Sequence, residues 1–346
     1  MEKWKQIFSK SIVDAKALRR LFRVDEKEIN KVIQRYPMRI NPYYLSLIKS
    51  KNDPIWKQCV PDIKEITDIR GRTDPLREEL YSPIFGLVHR YPDRVLLLVS
   101  NMCAGYCRFC TRKRKVGRVY RTLKDEDFNK AIKYIKSKKK VRDVILSGGD
   151  PLLLGDEKLE HYIKNIRKIR HIEIIRIDSR TPCTLPQRIT PKLCEMLMKY
   201  PPIYFLAHFN HPSEITKEAK KACELLADSG IVLGNQSVLL KGINDDPRTL
   251  IELGQELLKI KVRPYYIYIP DAVRGTYHFR VSIKRALKIM RGVIGFTSGL
   301  AVSHLIIDLE NGGGKTPLCP NYMIGKEDKK YIFRNFEGRQ FTYTDV

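Results

Sequence analysis

Over 346 residues, 65 Lys and Arg stand against 39 Asp and Glu, a formal charge of +26, while 43% of the chain is apolar. That apolar content supports a packed core, and no run approaches the roughly 18 uncharged apolar residues of a membrane span, which excludes a helical membrane protein. Cys59, Cys183, Cys194, Cys223 and Cys319 are scattered without framework spacing, which excludes a disulfide scaffold and, with an N-terminus lacking a signal peptide's apolar region, sets the expectation of a cytoplasmic protein.

In chain order, residues 1 to about 90 read as helices punctuated by prolines, an N-terminal cap with periodic stretches at 13–22 and 26–34 and a start at Asn41-Pro42. From about 94 the pattern changes to short β-branched or aromatic runs at 95–99, 144–146, 172–177, 204–206, 231–233 and 265–269. Amphipathic stretches alternate with them at 125–136, 157–168, 191–199, 213–228 and 248–258. Strands alternating with helices predict an α/β fold, a parallel sheet or partial barrel over 91–310, followed by a short C-terminal segment, 311–346. The polar loops then fall after successive strands, where the active site of a parallel barrel forms.

The first of these loops, Cys103-Ala-Gly-Tyr-Cys107-Arg-Phe-Cys110, supplies three thiolates at C-x3-C-x2-C spacing. Three ligands without a fourth suit a 4Fe-4S cluster with one iron open, a site that binds the amino and carboxylate groups of S-adenosylmethionine. Structural zinc would want a fourth Cys or His nearby, and His89 and Cys183 lie in other segments. Ser147-Gly-Gly-Asp150 lets a ligand approach the backbone while Asp150 accepts from an ammonium group; a plain strand-to-helix turn would use the same residues. Asn311-Gly-Gly-Gly-Lys315-Thr316 resembles a nucleotide P-loop, but Leu309 stands where that motif needs Gly. A lysine on a glycine turn suits imine formation with an aldehyde such as pyridoxal phosphate; otherwise it is a solvent-exposed turn residue. Asp271 and Asp308 suit a substrate ammonium if they converge, or cap strands and pair with Arg274 and Arg280. Arg112 suits a bidentate carboxylate, or opens the basic run Arg112 to Lys115.

These residues, with Gly86-Leu-Val-His-Arg90-Tyr91-Pro-Asp-Arg94, His208-Phe-Asn-His-Pro212, Gly234-Asn-Gln-Ser-Val238 and Arg263-Pro-Tyr-Tyr-Ile-Tyr268, closely resemble the lysine 2,3-aminomutase family from about Tyr36 to Tyr343. The resemblance implies a six-unit partial (β/α) TIM-like barrel of the radical S-adenosylmethionine type and a pyridoxal phosphate-dependent isomerase that moves the α-amino group of L-lysine to C3, giving β-lysine. It further implies that Cys103, Cys107 and Cys110 bind the cluster and that Lys315 carries the pyridoxal phosphate, with Arg90, Tyr91 and Arg94 on its phosphate. Arg112 would grip the lysine α-carboxylate, Asp271 and Asp308 the ε-ammonium, and Asp150 and Gln236 S-adenosylmethionine. A flavodoxin or ferredoxin type of donor would supply the electron.

Three departures qualify this picture. Asp246 stands where fuller members have a zinc-ligand Cys, the residues end at Val346 without a Cys-bearing tail, and Leu309-Glu310-Asn311 replaces a small residue, Pro and Gly. The expectations are no zinc, a homodimer, and an altered lip to the substrate pocket. Alternative readings are the same reaction on glutamate or arginine, service of translation-factor modification with β-lysine, or a radical enzyme acting on RNA, which the charge alone suggests.

Overall fold

The computed structural model describes residues 2–118 and 122–346. Six short helices come first: α1 (Lys3–Ser9), α2 (Ala15–Leu21), α3 (Glu26–Arg35), α4 (Pro42–Ser46), α5 (Pro54–Cys59) and α6 (Lys64–Thr67). Asp14, Asp25, Asn41 and Asp53 each accept a first-turn backbone N–H, and Pro42 and Pro54 occupy first turns where a missing N–H costs nothing. The helical layer ends at Thr67, and 68–86 follow without a helix or strand.

Nine strands in chain order make one sheet: β1 (Leu87–Tyr91), β2 (Arg94–Ser100), β3 (Asp143–Gly148), β4 (Ile174–Ser179), β5 (Ile203–Ala207), β6 (Val232–Val238), β7 (Arg263–Tyr268), β8 (His304–Leu309) and β9 (Gly314–Leu318). Strands β2 to β8 are parallel, while β1 and β9 pair antiparallel to β2 and β8 at the two ends. The partial barrel is therefore as expected; its six anticipated strands are β2 to β7, and the apolar run before Asp308 adds β8. The crossover helices are α7 (Asp125–Ser137), α8 (Asp156–Arg167), the single turn α9 (Thr181–Thr184), α10 (Pro191–Met198), α11 (Lys217–Asp228), α12 (Pro247–Lys259) and α13 (Ile283–Arg291). The stretch read as 213–228 is split, because Thr216 caps α11 and Glu214 folds its carboxylate back onto the Asn210 and His211 amides. Asp246 caps α12.

Alternate strand residues have different fates. Val95, Leu97 and Val99 of β2, and Ile175 and Ile177 of β4, are buried in the main core with α7, α8 and α10. Their neighbours Leu96, Ile145, Asp178, Gln236, Tyr268 and Asp308 line an interior cavity. Period-two alternation thus separates a helix-facing apolar set from a lumen-facing set free to carry polar chemistry. Residues beyond β9 form a second, antiparallel sheet of β10 (Met323–Glu327), β11 (Lys330–Arg334) and β12 (Gln340–Thr344). Its mostly exposed residues show no buried face to announce it.

Candidate active site

A cavity of about 370 Å³ opens at the C-terminal ends of the parallel strands, and all twelve residues expected in the site line it. The cysteine loop follows β2 and is seated by β3. Gly149 N–H donates to the Ser100 carbonyl and Asp150 N–H to that of Met102. A Cβ on Gly148 would lie 2.4 Å from the Ser100 oxygen, and one on Gly149 2.4 Å from the Met102 oxygen. The two glycines therefore admit the close approach of the backbone leading into the cysteine loop, and both also line the cavity. Asp150 is committed in the same way: Oδ1 accepts from Ser179 Oγ and Leu152 N–H, Oδ2 from Arg180 N–H. Its carboxylate ties the loops after β3 and β4 together while the residue lines the cavity.

Burial raises the pKa of the Cys103 thiol, with Asp150, Cys110 and Cys107 adding to it; burial likewise pushes Cys110 up to about 11. Thiols that disfavour one another's ionisation need a cation among them. Among the described residues no three His, Cys, Asp or Glu side chains converge closely enough for a single metal ion, whereas in a cluster each thiolate reaches its own iron. The donor set and its mutual field therefore fit a cluster. Arg180, at the end of β4, donates from Nη1 to Cys107 Sγ at 2.7 Å.

Strands β1 and β9, the two ends of the sheet, meet across the cavity through side chains. Arg90 Nη2 donates to both Asp308 oxygens at 3.0 Å and to the Tyr91 hydroxyl, which also accepts from Lys315 N–H. The Tyr91 ring carries the guanidinium of Arg90 at 4.8 Å and that of Arg94 at 3.7 Å. Lys315 is not on a glycine turn: it lies in β9, directly opposite Asp308 in the ladder. Gly312 and Gly314 before it both hold positive φ, and a Cβ on Gly312 would meet the Tyr81 ring at 2.3 Å. Lys315 Nζ sits 5.2 Å from the Tyr268 ring centre and 5.6 Å from that of Tyr266. Lys315 is exposed and lines the cavity, where desolvation of its amine lowers its pKa while Asp178 and Asp308 oppose that shift.

The remaining charges are paired or poised. Arg112 donates Nε–H to both oxygens of Glu78, with Nη2 2.7 Å from Oε1. Asp271 Oδ2 accepts from Thr111, and burial, with Asp308 and Glu78, raises its pKa to about 6. Burial also raises Asp178 to about 6, against the pull of Arg176, Lys315 and Arg112; its buried Oδ1 has no hydrogen-bond partner. Gln236 accepts from the Tyr268 hydroxyl. The basic run is consumed internally: Lys113 meets buried Glu65, Arg114 meets Asp74 and Glu79, and Lys115 meets Glu79.

Sequence reasoning missed Glu78, the poised charge of Asp178 and the sulfur contact of Arg180. The last two stand at a strand end, which is itself a usable signal; Glu78 lies in the irregular 68–86 segment and carried none. The altered lip also has a role, because Asn311 Oδ1 accepts from Arg72 and its N–H donates to the Pro75 carbonyl, fastening that segment over the mouth.

A Radical SAM superfamily model matches residues 97–254, and a Lysine-2,3-aminomutase model matches 290–346. The chain is 50% identical to L-lysine 2,3-aminomutase of Clostridium subterminale, covering 94% of this chain and 79% of that protein. It is 49% identical to the enzyme of that name from Fusobacterium nucleatum, covering 97% and 80%. Glutamate 2,3-aminomutase of Clostridioides difficile is 42% identical, covering 99% and 82%. With its cysteine loop, its cavity at the strand ends and these relatives, the chain belongs to the lysine 2,3-aminomutase family of radical S-adenosylmethionine isomerases, whose membership implies a 4Fe-4S cluster and S-adenosylmethionine.

Proposed function

We propose that this chain converts L-lysine to β-lysine with pyridoxal phosphate held at Lys315. The observation that carries the substrate assignment is the placement of Asp271 and Asp308 in one cavity with Arg112 and Lys315, close enough that Asp308 raises the pKa of Asp271. Two carboxylates in one cavity, one of which raises the pKa of the other, invite a cation, and Arg112 complements a carboxylate. A substrate with an ammonium at one end and an α-amino acid at the other matches both. Glutamate would bring a second carboxylate toward the acidic pair.

When bound, pyridoxal phosphate supplies an aldehyde that takes up an amino group and a π-system that accepts an unpaired electron, while the cluster and S-adenosylmethionine supply the initiating carbon radical. The protein's residues bind and orient. Arg90, Tyr91 and Arg94 form a cationic and hydroxyl cradle for a phosphate, and as Arg90 turns to it, Asp308 is released for the ε-ammonium. Arg112 exchanges Glu78 for the substrate carboxylate. Asp178 accompanies the Lys315 amine and balances its proton. Gln236 faces S-adenosylmethionine, while Asp150 holds the loops around it. Such fixed orientation is the main contribution a protein makes to radical chemistry of this kind. A low-potential donor of flavodoxin or ferredoxin type delivers the electron in the reducing cytoplasm.

Anaerobic reconstitution with iron, sulfide and pyridoxal phosphate, then incubation with lysine, S-adenosylmethionine and dithionite, should give β-lysine by mass spectrometry. Turnover of glutamate or arginine in place of lysine would overturn the substrate assignment.

A further inference from the structure

We infer that Arg180 sets the reduction potential of the cluster, acting as a positioning residue whose guanidinium the N-terminal helices pin against Cys107. The inference rests on the cluster assignment to Cys103, Cys107 and Cys110. Arg180 Nη1 donates to Cys107 Sγ at 2.7 Å. On its other side Nη2 donates to Gln58 Oε1 at 2.6 Å, Glu214 Oε1 at 2.7 Å and the Tyr44 hydroxyl at 3.1 Å. Tyr44 and Gln58 belong to α4 and α5, and Glu214 to the turn after β5. The guanidinium also lies 5.3 Å from the Phe109 ring centre and 5.5 Å from that of Tyr44.

This cation is not free to swing toward a substrate carboxylate. Its surroundings hold its far edge in three hydrogen bonds and two rings cover it, leaving one edge on the sulfur. Glu214 is itself fixed, fully buried with its second oxygen accepting the Asn210 and His211 amides. A hydrogen bond and a positive charge at a ligating sulfur stabilise the reduced cluster, which carries one more electron, and so raise its potential. Low local polarity strengthens the effect. Glu214, on the far side of the guanidinium, moderates it. The step concerned is transfer of one electron from an external low-potential donor to the cluster, with no bond made or broken at Arg180.

The test uses the full chain, reconstituted anaerobically, with iron and sulfide counted and the midpoint read by a redox titration followed by electron paramagnetic resonance. In Arg180→Gln the ratio of reduced to oxidised cluster at a fixed potential should fall about tenfold, a shift of about 59 mV for a one-electron couple. Arg180→Lys should fall between this and the parent, and Glu214→Gln should move the midpoint the opposite way. If Arg180→Gln takes up no cluster, Arg180→Lys and Glu214→Gln decide the matter. A fully loaded Arg180 variant with the parent midpoint, or a Glu214→Gln midpoint unchanged, overturns the inference. A parent chain that takes up no iron and sulfide would instead overturn the cluster assignment.

Discussion

On the cluster side of the cavity, Arg180, Asp150, Gln58 and Glu214 hold one another with their hydrogen-bonding groups nearly all engaged, and the glycines of β3 clamp the cysteine loop by backbone contact. Elsewhere around the cavity the charges are provisional: Arg90 holds Asp308, Glu78 holds Arg112, and Asp178 keeps an unpartnered oxygen. One wall is held largely by its own bonds, though Arg180 Nε is buried without a partner, whereas the other pairs its own acids and bases in place of ligand groups. A radical initiator needs a fixed position, and a substrate site must exchange its partners; the two walls differ accordingly.

The sharpest break in this comparison is Lys315→Ala. It should abolish β-lysine formation and the absorbance of a lysine-bound pyridoxal phosphate, yet leave iron and sulfide content at the parent value. Next, the rigid wall depends on buried Glu65, which meets Arg108 and Lys113 at 2.6 Å each and joins α6 to the cysteine loop. Burial alone would raise its pKa, but Arg108 and Lys113 overcome this and hold it below the usual range. Glu65→Gln should destabilise the fold by about 3 kcal/mol, read by denaturant unfolding, since it strands two buried cations.

Smaller effects fall on the exchanging wall. Asp271→Asn removes a charged acceptor worth about 1.5–3 kcal/mol, so KM for lysine should rise about ten- to a hundredfold with cluster content unchanged. Because Asp271 protonates near pH 6, lysine binding should weaken as pH falls from 7 to 5, and Asp271→Asn should flatten that dependence in a calorimetric titration. The sign for folding is opposite: a carboxyl raised above its unfolded value favours the free fold at low pH and loses that contribution as pH rises through 6. The smallest effect belongs to Asp178→Asn. Without that carboxylate the Lys315 pKa should fall further, moving imine formation with added pyridoxal phosphate toward lower pH by on the order of one unit; an unmoved absorbance titration would separate Asp178 from Lys315.

Much of this molecule was legible locally. The three thiols share one loop, so their chemistry depended on covalent spacing. Asn41, Asp53 and Thr216 cap helices through bonds within three residues, and the runs forming β2 to β7 stand out as short β-branched or aromatic segments between amphipathic stretches. Lys315 was read as a residue on a glycine turn and lies instead in a strand, because β9 is a strand only by virtue of its ladder with β8. What the tertiary structure alone decided is who neutralises whom. Arg112 meets Glu78 across 34 residues, Arg180 meets Glu214 across 34, and Arg90 meets Asp308 across 218. Residue type shows that a charge needs a partner; only the curl of the sheet and the docking of the helices bring one acid, among 39 Asp and Glu, within reach.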